Sequence, residues 1–241
     1  NPVKLHNPLD RFCQYKLLKS YNQPHNNSPF IREVAISSAI PNLSPDVESV
    51  SVERLGDGKA GLFKIDYKAQ DDNSDKLIYD IDFRKTGRSK WISAAENIEE
   101  TSFEWDSRTV DDGRYEVRVT ASDIRDNSPA MAMTGTRLSD PFVVDNTGPA
   151  INIKATTVTE TAFEVEFTAE DEFSAIGKAD FTVDSNEKWK GIVPSDLVAD
   201  TREEKFKVEI PDLESGDHVI AFKVSDAVGN VTYKSLEISI E

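Results

Sequence analysis

The sequence predicts an all-β protein built from two similar domains in tandem, and three observations carry that reading. In "GLFKIDYKAQDD", Phe63, Ile65, Tyr67 and Ala69 alternate with polar residues and end on Asp71. Alternation at period two means a strand with one buried face. About a hundred residues further on, "TAFEVEFTAEDE" repeats the pattern with Phe163, Val165, Phe167, Ala169 and Asp171, a spacing too long for a solenoid unit and right for a whole domain. "DDGRYEVRVTASD" (Asp111 to Asp123) likewise returns as "ESGDHVIAFKVSD" (Glu214 to Asp226), with Trp91 matching Trp189 and Phe103 matching Phe206 between the two pairs.

Taken in order, residues 1–45 form a partial N-terminal segment and linker. "RFCQYKLLKSY" and "PFIREVAISSAI" read as two strands around the turn-forming "NQPHNNS". Two strands alone are marginal in water, so this piece is expected to be the remnant of a preceding domain, followed by the extended linker "PNLSPDV". Residues 46–146 form the first full domain, with strands expected near 48–55, 60–70, 77–85, 90–94, 101–106, 113–122 and 136–145. Residues 147–241 form the second, with strands near 150–155, 162–170, 177–184, 188–192, 203–210, 217–225 and 231–240. Short strands at this density, separated by turn signals, predict two tandem immunoglobulin-like or fibronectin III-like β-sandwiches. "SAAENIEE" and "DTREEKF" have room for a helical turn but lack the apolar residues to pack a helix.

The turns have physical causes. Gly113 and Gly216 stand where the chain reverses into the sixth strand, a place that often needs positive φ. Tyr115 then occupies the tyrosine-corner position of such folds, and His218 takes the same place in the second copy, facing its core. "SDAVGNV" is a Gly-Asn hairpin signal, which the first copy replaces with the longer "SDIRDNSPAMAMTGTRLSD".

Composition excludes several function classes. The chain has 28 Lys and Arg against 44 Asp and Glu, a net charge of −16, which argues against nucleic-acid backbones and anionic membrane surfaces. Cys13 is the single cysteine, so intrachain disulfides, thiolate zinc sites and CxxC redox motifs are excluded. No run is long enough to span a bilayer. The start at Asn1 rather than methionine points to a processed chain or a piece of a longer one.

At the level of motifs the sequence resembles a known arrangement. "FEWDSRTVDDGRYEVRVTASDIRDNSP…TGTRLSDPFVVDNTGP" resembles the fibronectin type III-like domain near the C-terminus of large secreted bacterial β-propeller proteins. "FTAEDEFSAIGKADFTVDSNEKWKGIVPSD" with "SGDHVIAFKVSDAVGN" resembles the immunoglobulin-like domain that ends them, and "SPFIREVAISSAIPNLSPDV" the junction before both. The resemblance implies an extracellular, cell-surface or periplasmic location and a missing N-terminal portion with a propeller; it implies no established activity. Where that family often has "DNTPP", Gly148 precedes Pro149 here, which is expected to loosen the joint.

Candidate sites are few. Asp71, Asn73 and Asp75 have the spacing of a calcium loop, with Asp82 in twelfth place, but Lys76 stands where an EF-hand needs glycine and Asp82 where it needs glutamate; an acidic turn is expected. A second set, Asp123, Asp140, Asp145, Asp171 and Asp226, is the candidate calcium site at the joint between the domains, since converging loops supply the six to eight oxygens calcium takes. No catalytic or cofactor-binding residues are assigned: no nucleophile elbow, H-E-x-x-H or phosphate loop is present. Trp91 and Trp189 are expected to pack rather than bind sugar. The function expected is a non-catalytic structural or interaction module whose partners are other protein chains or the missing part of the same protein. The alternative is a carbohydrate- or polymer-binding accessory module of a secreted enzyme, with polysaccharide as its partner.

Overall fold

The computed structural model describes residues 41–56, 60–160 and 162–241, all within one compact unit. The two strands expected before residue 41 lie outside the described residues.

Every strongly alternating segment is a strand. The first sandwich holds β1 (Asp46–Arg54), β2 (Leu62–Gln70), β3 (Ile78–Lys85), β4 (Ile92–Ile98), β5 (Ser102–Asp106), β6 (Gly113–Ser122), β7 (Thr134–Leu138) and β8 (Phe142–Val144), with a 3-10 turn at Ser107–Thr109. The second holds β9 (Ala150–Val158), β10 (Phe163–Glu170), β11 (Ile176–Val183), β12 (Lys190–Ile192), β13 (Glu203–Ile210), β14 (Gly216–Asp226) and β15 (Val231–Ile240). In the first sandwich the sheet β1-β2-β5 packs on β4-β3-β6-β7, with β8 also on β6; in the second, β13-β10-β9 packs on β12-β11-β14-β15.

In both sandwiches the fourth strand pairs with the third. A constant-type immunoglobulin domain instead places its fourth strand in the sheet of the first, second and fifth, beside the fifth. The second domain thus shares the strand order of the first, which is fibronectin III-like. After β12 the chain crosses between the sheets, where Pro194 bridges to Phe206.

Each sandwich has its own core. Phe63, Ile65, Tyr67, Tyr115, Val117 and Val119 are buried in the first, and Phe163, Val165, Phe167, Ile220, Phe222 and Val224 in the second, as the alternation requires. Each such large group contributes about 1.5–3 kcal/mol by burial. The first core centres on Trp105, whose ring lies 4.7 Å from Phe83, 5.9 Å from Phe63, 6.0 Å from Phe142 and 6.1 Å from Tyr115. The second centres on Phe167, stacked on Phe206 at 4.9 Å and tilted against Phe222 at 5.1 Å.

The structure corrects several expectations. The strand expected over 136–145 is two strands, because the chain leaves the ladder at Ser139–Pro141 and proline cannot donate to it. Ser139 replaces the lost main-chain bonds: its hydroxyl accepts from the Val117 amide at 3.0 Å and donates to the Asp140 carbonyl at 2.9 Å. "SAAENIEE" has no helical turn, since β4 continues to Ile98, and "DTREEKF" runs into β13. Phe103 does not match Phe206. Ile65 pairs with Phe103 and its counterpart Val165 with Val208, while Phe206 pairs with Phe167. Trp91 packs as expected, but against charge: the guanidinium groups of Arg84 and Arg118 lie 4.2 Å and 4.6 Å from its ring.

Register also fixes where the chain enters and leaves. Asp46 lies opposite Gln70, at the pole where β6 ends; Val144 lies opposite Gly113, at the other pole. In the second sandwich Ala150 lies opposite Glu170, and Ile240 opposite Gly216. The two domains therefore follow one another pole to pole.

Candidate functional site

The joint is built from residues 145–149 and the loops they touch. Asn146 ties the linker to the first sandwich: its amide donates to Asp112 Oδ1 at 2.7 Å and its side chain to the Ser107 carbonyl at 2.9 Å. Arg54 donates to the carbonyls of Val143 at 3.2 Å and Asp145 at 3.3 Å. Asn230 reaches across from the second sandwich and donates to the Asp145 carbonyl at 3.2 Å. Gly148 then lies against β15. A Cβ there would sit 2.9 Å from the Val231 carbonyl carbon and 3.1 Å from its nitrogen. The glycine seats the linker rather than loosening it, contrary to the sequence expectation.

Three of the five candidate calcium ligands meet here. Asp145, Asp171 and Asp226 each offer a carboxylate oxygen, and these oxygens lie within 4.8 Å of one another. Strand direction explains the meeting, since β10 and β14 both run back toward the pole where β9 begins. Asp171 Oδ1 accepts from the amides of Phe173 and Ser174 at 2.9 and 2.8 Å. Asp226 Oδ1 accepts from the amides of Val228 and Asn230 at 2.9 and 2.8 Å, and its Oδ2 from Asn230 Nδ2 at 2.8 Å. Asp145 is 1% exposed, and its Oδ2 is buried without a hydrogen-bond partner. Burial pushes the Asp145 carboxyl above its ordinary value; the nearby Ser174 hydroxyl pulls it back, while the carboxylates of Asp171, Asp226 and Asp112 push it up. A cavity of about 220 Å³ opens beside the group, lined by Asp112, Asp145, Glu170, Asp171 and Glu172 among others.

Asp123 and Asp140 do not belong to this group. Asp123 follows β6 at the far pole, roughly 30 Å along that strand from the joint. There it gathers with Asp71 and Asp75 in a second acidic group, fully buried, accepting from the Met133 amide at 2.7 Å and from Asn42 Nδ2 at 2.6 Å. Asp140 is exposed beside the middle of β6, next to Ser139, whose amide donates to Val117. The Asp71 to Asp75 segment is the acidic turn expected: Asp71 Oδ1 accepts from the Asn73 and Asp75 amides, and Asp82 pairs with Arg118 at 2.8 Å on β3 and β6.

His218 is not a core histidine. Its Nε2 bonds the Glu214 carbonyl at 2.8 Å and its Nδ1 the Asp184 carboxylate at 2.6 Å. The Glu214 carbonyl and Asp184 raise its pKa. Trp189 forms an edge-on pair with Tyr233 at 6.0 Å, and Tyr233 is 62% exposed. The sequence reading missed Tyr233 and Arg54. Tyr233 stands at an exposed position on β15, and Arg54 closes β1 just before a turn; neither carries a local motif that singles it out.

No protein-family model matches the sequence, and no curated protein is significantly similar to it. Among solved structures, the chain is similar to the chicken CNTN1 FN1-FN3 domains at 14% identity, over 83% of its own length and 68% of theirs, with a TM-score of 0.33. It is also similar to the fibronectin(III)-like modules of Clostridium thermocellum CbhA at 17% identity, over 82% of its length and 94% of theirs, with a TM-score of 0.34. These distant alignments add nothing to the assignment. Strand order defines the class: an all-β tandem of two fibronectin III-like sandwiches.

Proposed function

We propose that this chain is a non-catalytic spacer or anchoring module at the C-terminal end of a secreted or cell-surface bacterial protein. The observation that carries this reading is the pole-to-pole order of two sandwiches through a linker bonded on both sides, by Asn146 to the first and from Asn230 to the second. A tandem that enters at one end and leaves at the other holds its two ends apart, as a spacer must. Its partners are then an N-terminal part of the same protein, which the motif resemblance supports as a propeller, or other chains that add a strand to an exposed sheet edge. That resemblance supports an extracellular, cell-surface or periplasmic setting.

Small-angle X-ray scattering of the chain in solution tests the spacer. A two-lobed distance distribution, with lobes separated by about one strand length of roughly 35 Å, is expected. A single compact lobe, or a featureless distribution from freely moving domains, would overturn it.

The alternative is polysaccharide binding, favoured by the exposed Tyr233 beside Trp189. The edge-on geometry of that pair does not form a flat stacking platform. Retardation of the chain in a polysaccharide-containing native gel, abolished by Tyr233→Ala, would favour this alternative over the spacer alone.

A further inference from the structure

We infer that Asp145, Asp171 and Asp226 form a calcium site that locks the two sandwiches together. The first observation is the meeting of three carboxylates from the linker and the two returning strand ends, with oxygens within 4.8 Å of one another. The second is Asp145 itself. It is 1% exposed, and its Oδ2 is buried with no hydrogen-bond partner. A buried carboxylate oxygen left bare costs free energy unless something positive meets it. Arg54 lies close enough to feel Asp145, Asp226 and Asp112, but its guanidinium bonds main-chain carbonyls of Val143 and Asp145. One guanidinium faces these three carboxylates, and Asp171 adds a fourth to the group, which leaves a deficit that a divalent ion fills.

The donor set selects the ion. The group is all oxygen, which favours a hard cation over zinc or copper. Its carboxylates come from three separate segments, an irregular arrangement that calcium accepts and magnesium, with its demand for octahedral geometry, does not. Three carboxylates fall short of six to eight ligands, and the adjoining cavity of about 220 Å³ admits water to complete the shell.

The equivalent place in the first sandwich gives a built-in comparison. There Asp71 and Asp123 correspond to Asp171 and Asp226, and side-chain amides meet the carboxylates as Asn230 Nδ2 meets Asp226 Oδ2 at 2.8 Å and Asp145 Oδ1 at 3.4 Å in the joint. Asn42 Nδ2 donates to Asp123 at 2.6 Å and Asn127 Nδ2 to Asp75 at 2.7 Å. Asp71 Oδ2 is also unpartnered, but Asp71 is only half-buried and that group lies at the pole away from the joint.

Calcium chloride titrated into the isotope-labelled chain, followed by amide NMR shifts, tests the site residue by residue. Saturable shifts are expected around 145–147, 171–174 and 226–230, with a dissociation constant on the order of 0.1–1 mM, as in extracellular modules. Asp145→Asn keeps the shape of the side chain, and Asp171→Asn keeps an oxygen to accept from Phe173 and Ser174. Either should weaken binding at least about ten-fold, since even outer-shell substitutions cost that much. Asp75→Asn should leave binding at the joint unchanged. The spectrum itself reports whether each variant is folded. The inference is overturned if no saturable shift occurs at the joint up to about 10 mM calcium, if shifts appear only around Asp71, Asp75 and Asp123, or if both joint variants bind as the parent does. None of these outcomes bears on the spacer reading, which scattering tests without added metal.

Discussion

Tyr115 and His218 stand at the same turn in the two sandwiches, and each reaches back four residues to a carbonyl oxygen. The Tyr115 hydroxyl donates to Asp111 at 2.7 Å, and His218 Nε2 meets Glu214 at 2.8 Å. The glycines before them have φ of +146° and +135°, which the reversal requires and other residues rarely adopt. The imidazole adds what a phenol cannot, a charge that changes near neutral pH. Its pKa is raised, chiefly by the Glu214 carbonyl and then by Asp184, while Asp184 is lowered by the Val219 amide and then by His218. A raised histidine pKa means the folded state holds the proton more tightly than the unfolded chain. The stabilisation is therefore complete below the ordinary value of 6.5 and is lost as pH rises through the raised one. Asp184 adds the opposite limb, lost as pH falls through its lowered value. Comparing chemical denaturation of the parent with His218→Gln should show the largest difference at about pH 5–6 and a smaller one at about pH 9. A difference that is flat or grows with pH would show that the imidazolium does not hold this corner. The corner was legible in the sequence because glycine and ring lie two residues apart in both copies. Asp184, which lies 34 residues away from His218, was not, since only strand pairing brings it there.

At the scale of elements, alternation placed nearly every strand, because a sheet with one buried face must alternate. It was blind where the next level decides. Ser139–Pro141 breaks a strand through main-chain hydrogen bonding that hydrophobicity does not record. The pairing of β2 with β5 sets Phe103 against Ile65 and hence against Val208 in the second copy, a two-residue offset that similarity of residue type concealed. Trp91 shows the same limit. A tryptophan repeated in both copies reads as a packing residue, and the repeat does not say against what; here it holds the outer face of β3 and β6. Arg84 and Arg118 cover its ring, and their other contacts are Glu116 at 2.7 Å and Asp82 at 2.8 Å. The result is a chain of alternating charge with an aromatic ring at its centre. Each cation–π contact at a partly exposed site contributes about 0.5–1 kcal/mol, so Trp91→Ala should destabilise the first sandwich by about 1–2 kcal/mol. Trp91→Phe should recover part of that, because its smaller ring holds a cation less strongly. Equilibrium denaturation of both variants checks this. Equal losses for Ala and Phe would mean that an aromatic face alone does not hold the two guanidinium groups at this position.

At the scale of the whole molecule, what matters is whether two independent cores behave as one body. That much was not legible in the sequence: the three aspartates of the joint are spread over 81 positions, and two more that looked equivalent, Asp123 and Asp140, belong elsewhere. The joint's rigidity depends on close approach at Gly148. Two effects oppose each other when it is replaced by alanine. The unfolded chain loses freedom, which stabilises the fold by about 0.4–1 kcal/mol where the native conformation suits alanine, and Gly148 does not have the positive φ that would forbid it. Against this, the added methyl meets Val231 main-chain atoms at 2.9 and 3.1 Å, and also Thr232 Oγ1 at 2.7 Å. Thr232 Oγ1 can rotate away. The Val231 main chain cannot, because it opens β15 and is paired to Ser225 on β14. Forced insertion into a packed contact costs about 1–3 kcal/mol, so the steric term wins and the linker lifts. Lifting strains the bond from Asn230 to the Asp145 carbonyl, 3.2 Å in the seated joint. The cores should be untouched, since the atoms nearest the added methyl belong to Val231 and Thr232, which are in neither core. Gly148→Ala is therefore expected to leave the melting of each sandwich close to that of the parent while residues 145–149 become several-fold more sensitive to limited proteolysis. A variant cut at the parent rate would mean that the linker is not held against β15, and that the two sandwiches are joined by contiguity alone.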